Sequence, residues 1–487
     1  MKAFVSCLGL ILFLPLILPA QNALQKAVDR FVNDPVFQPA QVSVSVLEVE
    51  SGRLLAGHDA DKLLLPASSL KVFVTATALE VLGPDFRFDT YLQYDGAIDE
   101  SGTLRGNIYI KGTGDPTLAS DQFGEAMAIE ELMAQWVAAI QKRGINTIDG
   151  QIIGDGSHFE YASTGRTWPW EDIGNYYGAG VWGLNFHENL YYLHFQQEAK
   201  LGATPEIATI EPHIPNLLLV NEVKSAAKGT GDNAYIFGSP YAYTRFVRGT
   251  IPVGNRRFSI KGSIPDPPFF VAYQLLTALE AKGIKVTQSA STQFERQRTG
   301  KGDRPRNTFY TYQSAPLAAI VREANQMSIN LYCESLLKSI GKRQQDEGST
   351  EAGIKAMKTY WSDKGLSMED CFIQDGSGLS VRNAVSSRQL AQVIQWMAKT
   401  YKGKGPFFES LPLAAKTGTL RYMFKGTKAA GKLRAKSGGM ERVRSYTGYT
   451  VNGQGKALAF SIIANNFTVK SSQIRQGMER LMIAICD

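Results

Sequence analysis

The chain reads as an α+β protein: an antiparallel sheet with helices, carrying inserted β-rich domains. Three observations predict this. An alternating hairpin near the amino end, Val42 to Val49 and Leu54 to Ala56, runs directly into an apolar helix from Val72 to Leu82. The stretch from about Asn189 to Ile264 holds repeated short strands and no convincing helix. The carboxyl end returns to alternating strands and closes with a helix from about Gln473.

The length of 487 residues, with 44% apolar and 20% charged side chains, describes a globular chain too long for one core, so two or three domains are expected. At the start, Met1-Lys2 is followed by an almost wholly apolar run, Ala3 to Leu18, broken by Pro15 and ending at Ala20 before Gln21-Asn22. This describes a secretory signal over residues 1–20, cut after Ala20 or a few residues later; an uncleaved anchor is the rival reading. Cys7 lies too close to Met1 to leave an apolar region ahead of a lipidation site. No later segment is long and apolar enough to cross a membrane, so after signal removal no transmembrane segment is expected and the mature chain is exported, in the periplasm or cell envelope of a bacterium.

Beyond the hairpin and its helix come strands at Phe88 to Tyr94 and Gly102 to Lys111, an amphipathic helix from Gly124 to Lys142, and a strand from Asp149 to Gly154. Trp168-Pro169-Trp170 and Tyr176-Tyr177-Gly178 form an aromatic, glycine-rich loop region. Its rings are expected to pack on another domain or line a cleft. After the strand-rich module a helix runs from Phe269 to Lys282, and the polar, basic stretch Arg296 to Arg306 reads as a linker back to the first domain. Helices follow at Pro316 to Ala324, Met327 to Ile340, Thr350 to Lys364 and Ser387 to Thr400, then strands at Lys432 to Ala435, Ser445 to Val451 and Ala457 to Ala464. The expected division is a domain of 21–85 and 305–487, an inserted domain of 86–190 and 265–304, and a nested β-rich module of 191–264.

Composition excludes several functions. The formal charge of +7 comes from 52 basic and 45 acidic side chains with no dense basic run interleaved with aromatics, so no nucleic-acid partner is expected; a mildly basic surface suits anionic envelope polymers. Once Cys7 leaves with the signal, Cys333, Cys371 and Cys486 are an odd, widely spaced set that makes neither a disulfide framework nor a metal cluster. Five scattered histidines without His-x-x-x-His add no ligand pattern, and no metal or other cofactor is expected.

The chemistry lies in three triplets. Ser68 and Lys71 stand three apart at the mouth of the apolar helix, sharing one face, so the amine can reach the hydroxyl. A serine needs something to take its proton, and an amine can do so when burial lowers its pKa. Ser328-Ile329-Asn330 lies at a helix start, and Lys436-Ser437-Gly438 on a strand that begins a hairpin. Ser-x-x-Lys, Ser-x-Asn and Lys-Ser/Thr-Gly in that order are the signature of penicillin-recognising serine acyl-transferases. Lys416-Thr417-Gly418 is a more literal match to the last triplet but reads as irregular loop. The working lysine must sit on an edge strand that can pair with an extended substrate, which assigns the role to Lys436.

With these residues the chain resembles the class C low-molecular-mass penicillin-binding proteins, the D-alanyl-D-alanine carboxypeptidase/endopeptidase family of the penicillin-binding protein 4 type. Further matching segments are Lys111 to Leu118, Gly154 to Phe159, Val181 to Asn189, Asp375 to Asn383 and Leu411 to Gly418 with Lys425-Gly426-Thr427. The interval from Lys71 to Ser328, more than half the chain, has the length of an inserted-domain protein rather than a β-lactamase. The resemblance implies a serine transpeptidase-like, β-lactamase-like domain carrying inserted domains. It implies that Ser68 attacks the carbonyl between two D-alanines, or a D-alanyl cross-link, in peptidoglycan stem peptides, and that β-lactam antibiotics are covalent inhibitors. Lys71 would be the base, Ser328 and Lys436 a proton relay to the leaving amine, and Asn330 a holder of Lys71 and the substrate amide. The Ser68 and Gly439 N–H groups, the latter directly after Gly438, would form the oxyanion hole. Ser437 would bind the substrate carboxylate.

Two further matches are looser. Asp155 resembles an inserted-domain aspartate that reaches the cleft in relatives, with turn capping as its alternative. Arg382 stands one place later than the family's arginine, after Val381. Two other functional readings remain beside the peptidase: a catalytically silent envelope-binding protein of the same fold, which the complete set of triplets disfavours, and a serine esterase or peptidase for small D-amino-acid peptides.

Overall fold

The computed structural model describes residues 18–487, and side chains from Ala23 onward. The expected export signal lies almost wholly outside the described residues. Among the described residues no helix is long and apolar enough to cross a membrane.

The hairpin strands Gln41–Glu48 and Leu54–His58 pair as expected, and the first also pairs with Ala457–Asn465. Val443–Val451 and Arg434–Met440 complete an antiparallel five-stranded sheet, with Arg434–Met440 at one edge. The Val42, Val44, Val46 side of the first strand faces helices Leu18–Val32 and Ser471–Ile485, which contribute Val28, Phe31, Ile474, Met478 and Leu481 to a shared core. Its other side carries Ser43 and Ser45, which alternation alone would leave wet. Both are fully buried, because their small hydroxyls let helix Ser387–Tyr401 pack close and share hydrogen bonds with Ser387 Oγ at 2.7 and 2.8 Å. The sheet is thus covered on both faces.

Helix Lys71–Val81 runs through the centre of the helical layer, with Val72, Phe73, Val74, Ala76 and Ala78 at 0% exposure. Its threonines have internal partners: Thr75 and Thr77 hydroxyls donate to the carbonyls of Lys71 and Phe73, and Trp361 Nε1 donates to Thr77 Oγ1 at 2.9 Å. Helices Leu317–Gln326, Asn330–Gln345, Thr350–Asp363 and Ser387–Tyr401 enclose it in one apolar cluster. A helix apolar on every side calls for such an environment.

The inserted part is built on a second five-stranded sheet, ordered Ser291–Thr292, Ile152–Asp155, Ile108–Gly112, Asp89–Tyr94 and Asn307–Gln313. Helices Ile129–Lys142 and Pro267–Ala281 pack on it through Trp136, Ile140, Phe270 and Leu275. The expected helix from Gly124 begins only at Ile129, where Glu130 and Glu131 favour the first turn. Between Leu190 and Ser263 lie two small sheets, one ordered Glu206–Glu211, Leu190–Gln196, Arg257–Ser263, the other centred on Thr244–Pro252.

Two expectations need correction here. Residues Asn307–Gln313 pair with Asp89–Tyr94 and close the inserted sheet, so the chain returns to the helical layer at Ser314, not at 305. The stretch Arg296 to Arg306 is no free linker either. It opens within helix Gln293–Arg298 and ends at Arg306, whose guanidinium is mostly buried against Tyr109, 3.8 Å from the ring centroid.

Candidate active site

A 3₁₀ turn, Ala67–Leu70, delivers Ser68 to the mouth of helix Lys71–Val81. Ala67 takes a positive φ of 47°, and Gly378 lies so close that a Cβ there would stand 2.1 Å from the Ala67 carbonyl oxygen. The Ser68 turn therefore requires glycine at 378. On its other side Ser445 Oγ donates to the Pro66 carbonyl at 2.5 Å, and Ser69 and Ser445 hydroxyls meet at 2.8 Å, pinning the turn to the sheet.

Lys71 is fully buried, and its Nζ donates to three oxygens: Ser68 Oγ at 2.9 Å, Asn330 Oδ1 at 2.7 Å and the Ser377 carbonyl at 2.6 Å. Desolvation holds its pKa below the ordinary lysine value, against the opposing pull of Cys333, Asp375 and Glu334. Lys436 is also fully buried; its Nζ donates to Ser328 Oγ and the Ser437 carbonyl, both at 2.8 Å. Burial and then the neighbouring Lys71 push the Lys436 pKa well down. Cys333 lies by both amines and is pushed up to about 12 by burial, so it remains a thiol. Ser328 adopts φ of +64° in the bend between helices Leu317–Gln326 and Asn330–Gln345, and Asn330 opens the second helix.

Lys436, Ser437, Gly438 and Gly439 lie on the edge strand, beside the Ser68 turn. A Cβ at Gly438 would meet the Pro66 carbonyl at 2.6 Å and the Ser69 nitrogen at 2.8 Å, so only glycine lets strand and turn approach this closely. The Ser437 hydroxyl donates to Thr419 Oγ1 at 2.8 Å, which brings the 418–420 loop to the same rim. Lys416 is exposed, in the turn that follows Leu413 and leads into that loop.

Several groups that hold this site together lie outside the three triplets. Glu334, 2% exposed, accepts the Gly376 and Ser377 N–H groups at 2.8 to 3.1 Å and so fixes the loop whose carbonyl faces Lys71. Its pKa is raised by burial and then by Asp375. Asp375 accepts from the Gly378 and Ser380 N–H groups, from Asn383 Nδ2 and from Trp168 Nε1, tying the loop to the inserted part. Asn330 Nδ2 donates to the Tyr177 carbonyl at 2.7 Å, so the aromatic loop abuts the site through its backbone.

Two sequence candidates fall outside this constellation. Asp155, 1% exposed, is ion-paired to Arg306 at 2.5 Å and accepts the Ser157 N–H; it caps a turn and balances a buried guanidinium. Arg382 is exposed, and among the described residues only its backbone N–H is bonded, to Ser380 Oγ, while Asn383 one place on turns inward.

A serine beside a buried amine, at the rim of a sheet edge, is the equipment of an acyl-transferring serine hydrolase. Comparison with known proteins gives the family. The sequence model of the D-Ala-D-Ala carboxypeptidase 3 (S13) family matches residues 24–484, and the chain belongs to that family. It is 28% identical over 463 residues to a D-alanyl-D-alanine carboxypeptidase of Actinomadura sp. (strain R39), covering 91% of this chain and 81% of that protein. It is 24% identical over 430 residues to the D-alanyl-D-alanine carboxypeptidase DacB of Haemophilus influenzae, covering 86% and 84%. The crystal structure of penicillin binding protein 4 (dacB) from Haemophilus influenzae has the same fold, with a TM-score of 0.79 over 93% of this chain and 97% of that one at 21% identity. The protein is thus a serine-type D-alanyl-D-alanine peptidase acting on peptidoglycan peptides.

Proposed function

We propose that Ser68 is the nucleophile, that Lys71 takes its proton, and that the chain cleaves the D-alanyl-D-alanine bond of stem peptides through an acyl-enzyme that water then hydrolyses. The observation that carries this reading is the 2.9 Å contact between Ser68 Oγ and a fully buried amine. With Lys71 neutral the hydroxyl donates along that contact, and Oγ attacks as the proton leaves. The two buried amines repel a second charge, so a proton gained at Lys71 makes Lys436 readier to release one through Ser328 to the departing amine. The scissile C–N bond then breaks. Asn330 holds the base, the Ser68 and Gly439 N–H groups receive the oxyanion, and Ser437 with Thr419 offers hydroxyls to the substrate carboxylate. The substrate lies as an added strand on Arg434–Met440.

In this reading β-lactams acylate the same hydroxyl, the mature chain works in the envelope after export, and the inserted part walls one side of the cleft through Tyr177. Mass spectrometry of purified protein after exposure to a penicillin tests the assignment. A stoichiometric adduct on a peptide containing Ser68, absent in Ser68→Ala, is the expected result. A folded protein that takes no adduct and releases no D-alanine from a pentapeptide would leave a silent binding protein of this fold.

A further inference from the structure

The inserted part carries a basic pocket that the peptidase chemistry does not use. It has a volume of about 530 Å³ and is lined by Arg105, Arg296, Lys301 and Arg304, with Asp149 and Gln288 on its wall. None of these residues belongs to the Ser68 site. Arg105 is exposed and has Asp99 at 3.5 Å. Among the described residues, Lys301 and Arg304 have no ion-pair partner, and Asp303, between them in the chain, is paired to Arg306. Asp149 accepts a hydrogen bond from the Thr287 hydroxyl.

The decisive group is Arg296. It is 7% exposed, its Nε is buried without a hydrogen-bond partner, and its side chain has no ion pair among the described residues. Its guanidinium lies 6.0 Å from the Tyr109 ring, whose face already holds Arg306 at 3.8 Å. A buried guanidinium without an anion is costly, whereas one facing a pocket lined by further cations is prepared for an anion to enter. Set against Asp99 and Asp149, the four cations leave about two positive charges; a single carboxylate would balance one of them, while a phosphomonoester brings nearly two negative charges and three acceptor oxygens that suit a guanidinium fork. The cavity is also far larger than a phosphate ion, with the Gln288 amide beside it to meet a polar carrier.

We propose that this pocket binds a phosphorylated sugar, with the phosphate held by Arg296, Lys301 and Arg304. The occupant is set by charge count and cavity size and is independent of the reaction at Ser68. Calorimetric titration of the full chain at low salt with N-acetylglucosamine 1-phosphate, and separately with inorganic phosphate, tests it. The sugar phosphate is expected to bind, at least about tenfold more tightly than inorganic phosphate, and to weaken as salt is raised. Lys301→Ala/Arg304→Ala, both exposed positions, should weaken binding by about tenfold or more while penicillin acylation of Ser68 stays unchanged. Arg296→Gln should abolish it; should that variant fail to fold, the exposed double variant decides. No binding of either compound, equal affinity for the two, or binding indifferent to the double variant would overturn the proposal. Because the acylation readout is separate, failure here is distinguishable from failure of the peptidase assignment.

Discussion

Glu334→Gln is the most informative single change near the nucleophile, because it alters no group that touches Ser68. The carboxylate of Glu334 accepts Ser377 N–H at 2.8 Å and Gly376 N–H at 3.1 and 3.0 Å through its two oxygens. An amide oxygen at the Oε1 position still accepts both N–H groups, Ser377 at 2.8 Å and Gly376 at 3.1 Å, while an NH₂ group takes the place of Oε2, 3.0 Å from the Gly376 N–H. Turning one charge-assisted acceptor into a donor that opposes the Gly376 N–H would cost about 2–4 kcal/mol, and removing a buried acid whose pKa is already raised returns part of it, for a net loss of ~1–3 kcal/mol. The catalytic effect is indirect: the Ser377 carbonyl, held 2.6 Å from Lys71 Nζ, shifts, and a displaced base costs on the order of 10–100-fold in acylation rate. The assay is stopped-flow acylation by a chromogenic β-lactam across pH, beside urea unfolding. Removing the negative neighbour should also lower the Lys71 pKa further, moving the alkaline rise of the profile to lower pH. An acylation rate within twofold of the parent, with an unmoved profile, would refute the positioning role.

In the parent enzyme, acylation should rise with pH through a group titrating below the ordinary lysine range, since burial favours neutral Lys71, and Lys71→Arg should lose more than about 100-fold at every pH; a flat profile would exclude a lysine base. Arg306→Met should cost ~3–5 kcal/mol in urea unfolding by stranding buried Asp155, and the double change with Asp155→Leu should recover part of it, while residual folded enzyme acylates normally; slowed acylation would return Asp155 to the cleft. His158 is depressed from 6.5 to about 4 by burial and then by Lys342 and Lys111. The folded state therefore carries the neutral ring while the unfolded chain takes a proton, so stability is full above pH 6.5 and falls by up to ~3 kcal/mol as pH drops toward 4. His158→Phe should flatten that limb in pH-dependent thermal unfolding, and an unchanged limb would exclude this histidine as its source.

The parts of the site legible in the sequence are those whose chemistry needs a side chain at fixed local spacing. Ser68 and Lys71 share a face by helical spacing, while Ser328 with Asn330 at a helix start and Lys436 with Gly438 on a strand are picked out by the order of the three triplets and the family they resemble. The choice of Lys436 over Lys416 rested on the need for an edge strand, and the sheet order has that strand at its edge. Backbone acceptors leave no such trace: nothing in the residues Ser377 and Tyr177 announces that their carbonyls face Lys71 and Asn330. Long-range pairing was equally hidden. The polar run ending at Arg306 has a linker's composition, and only the fold brings its last residue to Asp155. Ser43 and Ser45 show the same limit, since alternation marks two faces of a strand but not whether a helix covers the second.

The edge strand Arg434–Met440 has a consequence for solubility. A row of backbone groups kept vacant for a peptide is equally open to the same row on another copy of the chain, the usual origin of edge-to-edge aggregation. This strand is short, ends in Gly438-Gly439-Met440, and turns Lys436 inward into the protein. Its amino end is covered by the chain itself: the Ala435 N–H donates to the Pro412 carbonyl at 3.0 Å and Leu413 bridges Arg434, which leaves the part from Lys436 to Met440 open. Self-pairing is thereby confined to a short, glycine-rich run, so the rim stays open to an extended peptide while offering another copy of the chain too little edge for a lasting sheet contact.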